Sequence, residues 1–432
     1  MNATDRFHAL DAVRGFALLA GIVLHATMSF FLPTPAHDVS QSTTLAVMFF
    51  VIHTFRMTLF FIIAGFFARL LIERRGIRGF IGNRTGRIAG PMLVAWVILA
   101  PLTTAILIWS ALRSLSPEAA AVTWAGIVTS PAALLPHSLK TVPLMHVWFL
   151  YYLCILYLMA LALCWLFSRI LDRSGRGRGA LDGVVRVLLS SYFAPWVLAL
   201  PLFLVLGFDD RVLMMMGIPT PDGGLDLKLP PLVAFGTAFA LGWFVHRQQA
   251  MLGEWPRRWV GHLSVGATLT VLCLTVLRVA PGAITGWLDH SAMGSRALYL
   301  ACYFASIWYW SLGITGAALR FCSGESAVRR YLADSSYWLY LVHLPVVFAL
   351  QVIFASVPWP WAIKFPLIVG IALTVLLLSY HFLVRPTWIG RILNGRKYPR
   401  RPAAVPKPSR PALGLGGLGH GGPLSASHPD TW

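Results

Sequence analysis

The sequence predicts an all-α protein: a polytopic transmembrane helical bundle of about ten spans, with both termini in the cytoplasm. Three observations predict it. Of the 432 residues 57% are hydrophobic, among them 17 Trp and 26 Phe, more apolar surface than a water-soluble domain can hide. Ten stretches have the roughly 20-residue apolar length that crosses a bilayer. The segments between them alternate in charge: of the 35 Lys and Arg, 27 belong to one set of loops with the two ends of the chain, and seven to the other set. Cytoplasmic loops are the ones enriched in Lys and Arg. The net charge of +19 is therefore mostly a topology signal and not a nucleic-acid footprint. The five cysteines show neither metal spacing nor a disulfide framework.

The first span, 10–32, reads LDAVRGFALLAGIVLHATMSFFL. Its apolar run is too long for a cleaved signal peptide and contains Arg14, so it reads as an uncleaved span. Arg14 and His25 return to within about 20° of one face, about 16 Å apart along a helix. Asp11 lies one turn before Arg14 on nearly the same stripe. Ionisable groups inside a span face a bundle interior or a wet cavity; a structural Asp–Arg pair with a hydrogen-bonded core histidine is the alternative.

The second span, 43–70, holds His53 and Arg56 one turn apart. A buried arginine needs an anionic or carbonyl partner, and only 16 acids exist in the chain; an interhelical pair and an anionic ligand both remain open. A basic segment with Arg74, Arg75, Arg78, Arg84 and Arg87 leads into the third span, 89–112. Arg84 and Arg87 are three apart and share a helical face, where they could clamp a phosphate or serve only lipid headgroups and topology. The outer loop 113–143 is either a re-entrant lid or a connector. The fourth span, 145–168, opens with His146-Val147-Trp148, ordinary interfacial chemistry. Spans follow at 187–207, 231–246, 259–279 and 294–319. The ninth, 337–357, begins SYWLYLVHLP, with Tyr340 and His343 on one face and a proline that opens the backbone locally. The tenth is 363–384. Residues 1–390 form the membrane domain. Residues 391–432, rich in Pro, Gly and Arg, read as a disordered tail. No metal site, phosphate loop or nucleophile elbow appears.

Taken in order, ALDAVRG with Arg14-x10-His25, FFIIAGFF with Arg84-x-x-Arg87, HVWFLYYL and SYWLYLVHLPV resemble the Acyltransferase 3 family of integral membrane acyltransferases. FVIHTFRMTLFFIIAGFF and YLVHLP look most like its glucan-succinylating group. The resemblance covers the chain to about residue 385. It implies a multi-pass inner-membrane enzyme of periplasmic glucan biosynthesis and osmoregulation. Such an enzyme transfers an acyl group, here succinyl, from cytoplasmic acyl-CoA to a hydroxyl of a periplasmic glucan. It implies His25 as general base, with Arg14 and Asp11 organising the inner end of the cavity. Arg84 and Arg87 would hold the CoA phosphates, and His53, Arg56, His146, Trp148, Tyr340 and His343 would bind substrate. Acyl-CoA is then a co-substrate, no cofactor or metal is needed, and the partners are the glucan or another carbohydrate and membrane lipid, not nucleic acid. Two other functions share these features: O-acetylation of another surface or exported glycan, and, in a different class, membrane transport.

Overall fold

The computed structural model describes residues 8–32, 36–131, 135–172, 176–209, 211–214, 217–277 and 293–395. Among them every element of length is helical: α1 His8–Thr27, α2 Thr43–Arg84, α3 Gly90–Arg113, α4 Pro117–Thr129, α5 Trp148–Leu166, α6 Arg176–Ser190, α7 Ala194–Leu206, α8 Arg211–Met214, α9 Leu229–Arg247, α10 Trp255–Leu277, α11 Met293–Phe321, α12 Ala327–Phe354, α13 Trp361–Ser379 and α14 Trp388–Asn394. Nine of the ten predicted spans fall mainly on one helix each among the described residues; the span at 187–207 straddles the break between α6 and α7.

The count of ten is not reached by length and composition. Seven stretches among the described residues are long and apolar enough to cross a membrane, or eight if the α6–α7 pair, bent by 110°, counts as one broken span. One of the seven is the 71-residue run Thr43–Arg113, in which α2 and α3 join without a loop. Their junction is made by two local devices. Gly76 takes φ 67°, a left-handed conformation that glycine adopts without the steric cost a Cβ brings. Thr85–Ala89 then form a π-helical turn, a bulge common at functional sites. Residues 391–394, assigned to the tail by sequence, belong to α14. Residues 396–432, the rest of the predicted tail, lie outside the described residues.

The bundle is built around α1. Its neighbours are α2, α11, α12 and α13, and Ala17, Ile22 and Ala26 are fully buried on it. Burial on several sides explains why α1 carries small residues between its leucines. The tightest crossing is α2 over α9. A methyl group on Gly65 would strike the Phe239 carbonyl, and one on Gly242 would strike the Ile62 carbonyl, so the two backbones touch. Small residues permit such approach between membrane helices, where van der Waals packing drives association.

At the end where α1 finishes, a clasp closes the bundle. Lys364 of α13 pairs with Asp38 of the α1–α2 connection, both side chains essentially without exposure. Lys364 also donates to the carbonyls of Val357 (2.9 Å) and Phe354 (3.5 Å). From sequence Lys364 was one more outer-loop charge; its acid lay 326 residues away.

Candidate active site

A cavity of about 640 Å³ enters the bundle between α1, α2, α5 and α12. Its mouth is basic, ringed by Arg74, Arg75, Arg84 and Arg87 with Asn83 and Gly395; its walls carry Leu18, Phe60, Ile63, Phe67 and Leu153. Asp11 and Arg14 line it as well, with Asp334 and Tyr337 opposite on α12. Asp11 and Arg14 pair at 3.4 Å, and Arg14 donates to the Ala333 carbonyl at 2.7 Å. That bond ties the start of α1 to α12 across the cavity.

The break at Gly76 lets the end of α2 fold back onto α5. Phe80 meets Tyr157 edge-on, with ring centroids 5.3 Å apart. The Arg84 guanidinium lies over Tyr157 at 5.1 Å and Phe80 at 5.6 Å, favourable cation–π contacts. Arg87 is occupied differently. From the π-helical turn it donates to the carbonyls of Ile392 and Leu393, each at 3.3 Å, capping the C-terminal end of α14. The two arginines thus both reach the cavity mouth, but in this conformation one rests on aromatic rings and the other on a helix end.

At the closed end stands Tyr340, packed against Phe149 with centroids 5.7 Å apart. Its hydroxyl donates to the His146 carbonyl at 2.5 Å. Beside it three imidazoles from three helices meet. The His343 ring lies 5.1 Å from that of His25 and 5.4 Å from that of His146. Pro345 explains part of this. Lacking an N–H, it leaves the Leu341 carbonyl without its helical donor, and His146 Nε2 donates to that carbonyl at 2.7 Å. The bond fixes the tautomer: Nε2 carries the proton and Nδ1 the lone pair. His343 is fixed by the same logic in reverse. Its Nδ1 donates to the Tyr340 carbonyl at 2.7 Å, so Nε2 carries the lone pair. Both lone-pair nitrogens are buried with no hydrogen-bond partner in the protein. His25 Nδ1 lies 3.4 Å from the Met28 sulfur, a weak acceptor. Gln351 donates to the carbonyls of His25 (2.8 Å) and Ala26 (3.2 Å), satisfying groups that the end of α1 would leave orphaned. Among the described residues no group of three His, Cys, Asp or Glu is placed to hold a metal ion.

His146 arrives through a strained backbone. Met145, immediately before it, has φ 49°, costly for a residue with a long side chain. A strap from the α8–α9 connection holds it there. Met145 N–H donates to the Asp222 carbonyl at 3.1 Å, Pro143 and Gly223 form an isolated antiparallel bridge, and Tyr151 donates to the Leu225 carbonyl at 2.7 Å. Burial pushes the Asp222 carboxyl above its ordinary range.

The remaining predicted residues divide. Arg56 lies against Gly21 of α1, where even a methyl would run into its guanidinium. It sits within electrostatic range of His25, His343 and Tyr340, and its Nε is buried without a hydrogen-bond partner. His53 stacks on Phe49 with centroids 5.3 Å apart and faces Gly217 beside Tyr303. Trp148 is not brought to the imidazoles. It lies two residues beyond His146 and packs against Phe235 and Tyr152, turned into the core between α5 and α9. Sequence reasoning did not single out Asp334, Tyr337, Arg74, Arg75 or Met145 as site residues. Asp334 had a readable signal, an acid beside a span in a chain with few. Met145 had none, because a positive φ at methionine has no sequence signature.

The Acyltransferase domain family profile matches residues 7–381 of this chain. Glucans biosynthesis protein C of Escherichia coli strain K12 is 23% identical over 354 residues, covering 79% of this chain and 82% of that protein. The proteins of the same name from Escherichia coli O139:H28 and O9:H4 are similar to the same extent. No solved structure matches the chain.

Proposed function

The chain belongs to the Acyltransferase domain family and is a multi-pass membrane acyltransferase, and on that premise we propose that it carries a succinyl group from cytoplasmic succinyl-CoA to a hydroxyl of a periplasmic glucan. The observation that carries this reading is the cavity itself, basic at its mouth, apolar along its walls, and closed by Tyr340 under the imidazoles. A CoA thioester has that order of parts: phosphates, a flexible arm and a reactive carbonyl. The arginine-rich mouth lies on the basic, cytoplasmic side by the distribution of loop charge. The hydroxyl arrives from the other surface, and His25 takes its proton as it attacks. Sequence similarity to glucans biosynthesis protein C supports the glucan acceptor, and the resemblance of the second span to that group supports the inner-membrane location. The test is release of free CoA thiol from succinyl-CoA by the purified protein in lipid, with and without glucan. Absence of release with any acyl-CoA would reject the reading.

Two predictions refine it. Arg84→Ala and Arg87→Ala should each weaken acyl-CoA binding by roughly ten- to hundredfold, the equivalent of about 1.5–3 kcal/mol for a charge-assisted contact, and leave acceptor KM nearly unchanged. Arg87 must exchange the α14 carbonyls for a phosphate, so its effect should be the smaller. Unchanged binding in the double variant would return both residues to topology.

Arg56 sets the donor. A dicarboxylic acyl group would bring an anion to the one guanidinium deep in α2, and guanidinium meets carboxylate in a two-pronged geometry. In competition between succinyl-CoA and acetyl-CoA the unmodified protein should prefer succinyl-CoA. Arg56→Gln should lose the preference yet still turn over acetyl-CoA. A variant that keeps the full preference would show that donor choice is made elsewhere.

A further inference from the structure

We propose that His343 shares with His25 the proton released by the attacking hydroxyl, so that the reaction runs on a pair of imidazoles and not on one. The proposal rests on the acyltransferase reading above and extends it to a residue that the sequence placed among substrate contacts.

Three observations converge. The Tyr340 carbonyl takes the His343 Nδ1 proton at 2.7 Å, which leaves Nε2 as the basic nitrogen. That nitrogen is buried with no protein partner, an unfavourable arrangement for an acceptor held away from water. The ring that carries it packs against His25 at 5.1 Å. Backbone carbonyls thus set the tautomers of both neighbours, His343 through Tyr340 and His146 through Leu341. The device matches the way a fixed partner orients a catalytic imidazole. His146 contributes position: its carbonyl holds the Tyr340 hydroxyl, keeping the helix turn that aims His343.

The step balances on this pair. The acceptor O–H bond breaks and its proton moves to a His25 ring nitrogen, and the new N–H is shared with the Nε2 lone pair of His343. The hydroxyl oxygen bonds to the acyl carbon, the C–S bond breaks, and the departing thiolate takes the proton back. No other reactant is consumed.

His343→Asn separates this role from a structural one. Its amide N–H can still serve the Tyr340 carbonyl, but it has no imidazole nitrogen to accept a proton. With the full chain in lipid and succinyl-CoA as donor, His343→Asn and His343→Ala should both lower kcat by about 10²-fold or more, with acyl-CoA KM changed by less than about threefold. Added imidazole should restore part of the turnover of His343→Ala. An Asn variant with kcat near that of the unmodified protein would overturn the proposal. So would equal losses with no imidazole rescue in a folded Ala variant. If the Ala variant fails to fold, the Asn variant decides alone. An unmodified protein that releases no CoA from any acyl-CoA would remove the acyltransferase reading and this proposal with it, an outcome distinct from active protein with an active Asn variant.

Discussion

His25→Ala should fold, insert and bind acyl-CoA, and should lose acyl transfer by on the order of 10²-fold or more. The loss is expected in kcat, not in donor KM, because His25 is absent from the cavity lining that would hold the CoA portion. The fold should survive for a local reason. Gln351 grips the backbone carbonyls at 25 and 26, not the ring, and the ring's Nδ1 meets the Met28 sulfur, a weak acceptor. His25→Asn serves as a companion variant with a polar side chain in place of the ring. Near-normal transfer in either would sink the assignment of His25 as base. Thiol release and glucan labelling, read on the same sample, keep transfer distinct from donor hydrolysis.

Lys364→Ala should lower stability by about 3–5 kcal/mol, the range for removing one partner of a buried pair. The stranded group would be Asp38, which is only 1% exposed. The change also frees the carbonyls of Val357 and Phe354. The surroundings cannot relax easily, since Asp38 N–H is bonded to Ser29, Val39 N–H to Ala355, and Trp361 N–H to the Ser40 hydroxyl. A chemical or thermal unfolding curve in one detergent measures the effect. Replacing both partners with apolar residues, as Asp38→Leu with Lys364→Met, should recover much of the loss. A single variant within about 0.5 kcal/mol of the parent would show that the pair is not closed to solvent.

The helices were legible because their signal is long and one-dimensional. All but one of the predicted spans fall mainly on a single helix, the exception being 187–207 at the α6–α7 bend, and the His25–Arg14 stripe lies on α1, which packs against α2, α11, α12 and α13. Pairings that span hundreds of residues were not legible. Lys364 with Asp38, Arg14 with Ala333 and Gln351 with the end of α1 depend on which helices become neighbours, and periodicity carries no such information. Trp148 shows the limit in small compass. Standing two residues after His146 did not place it beside the other imidazoles, because the 3₁₀ turn at 145–147 passes into α5 there and the two side chains leave in different directions. Arg87 shows another: three-residue spacing implies a shared face on an α-helix, but a π-helical turn intervenes, and the guanidinium reaches a carbonyl pair on α14.

The contact of α2 with α9 has a mechanical consequence. With Gly65 seated on Phe239 and Gly242 on Ile62, neither helix can slide past the other by one residue without a side chain meeting a carbonyl. The two move as one strut, and that strut carries Arg56. A rocking cycle, in which half a bundle swings against the other half about a central site, cannot use this seam as its hinge plane. Displacement during turnover is left to elements with little buried surface, such as α4, which has no buried residue, and α14, held at the mouth by Arg87 and by the Asn394 bond to the Tyr380 hydroxyl. Such a seam gives the cavity, which Phe60, Ile63 and Phe67 of α2 line, one wall of fixed shape.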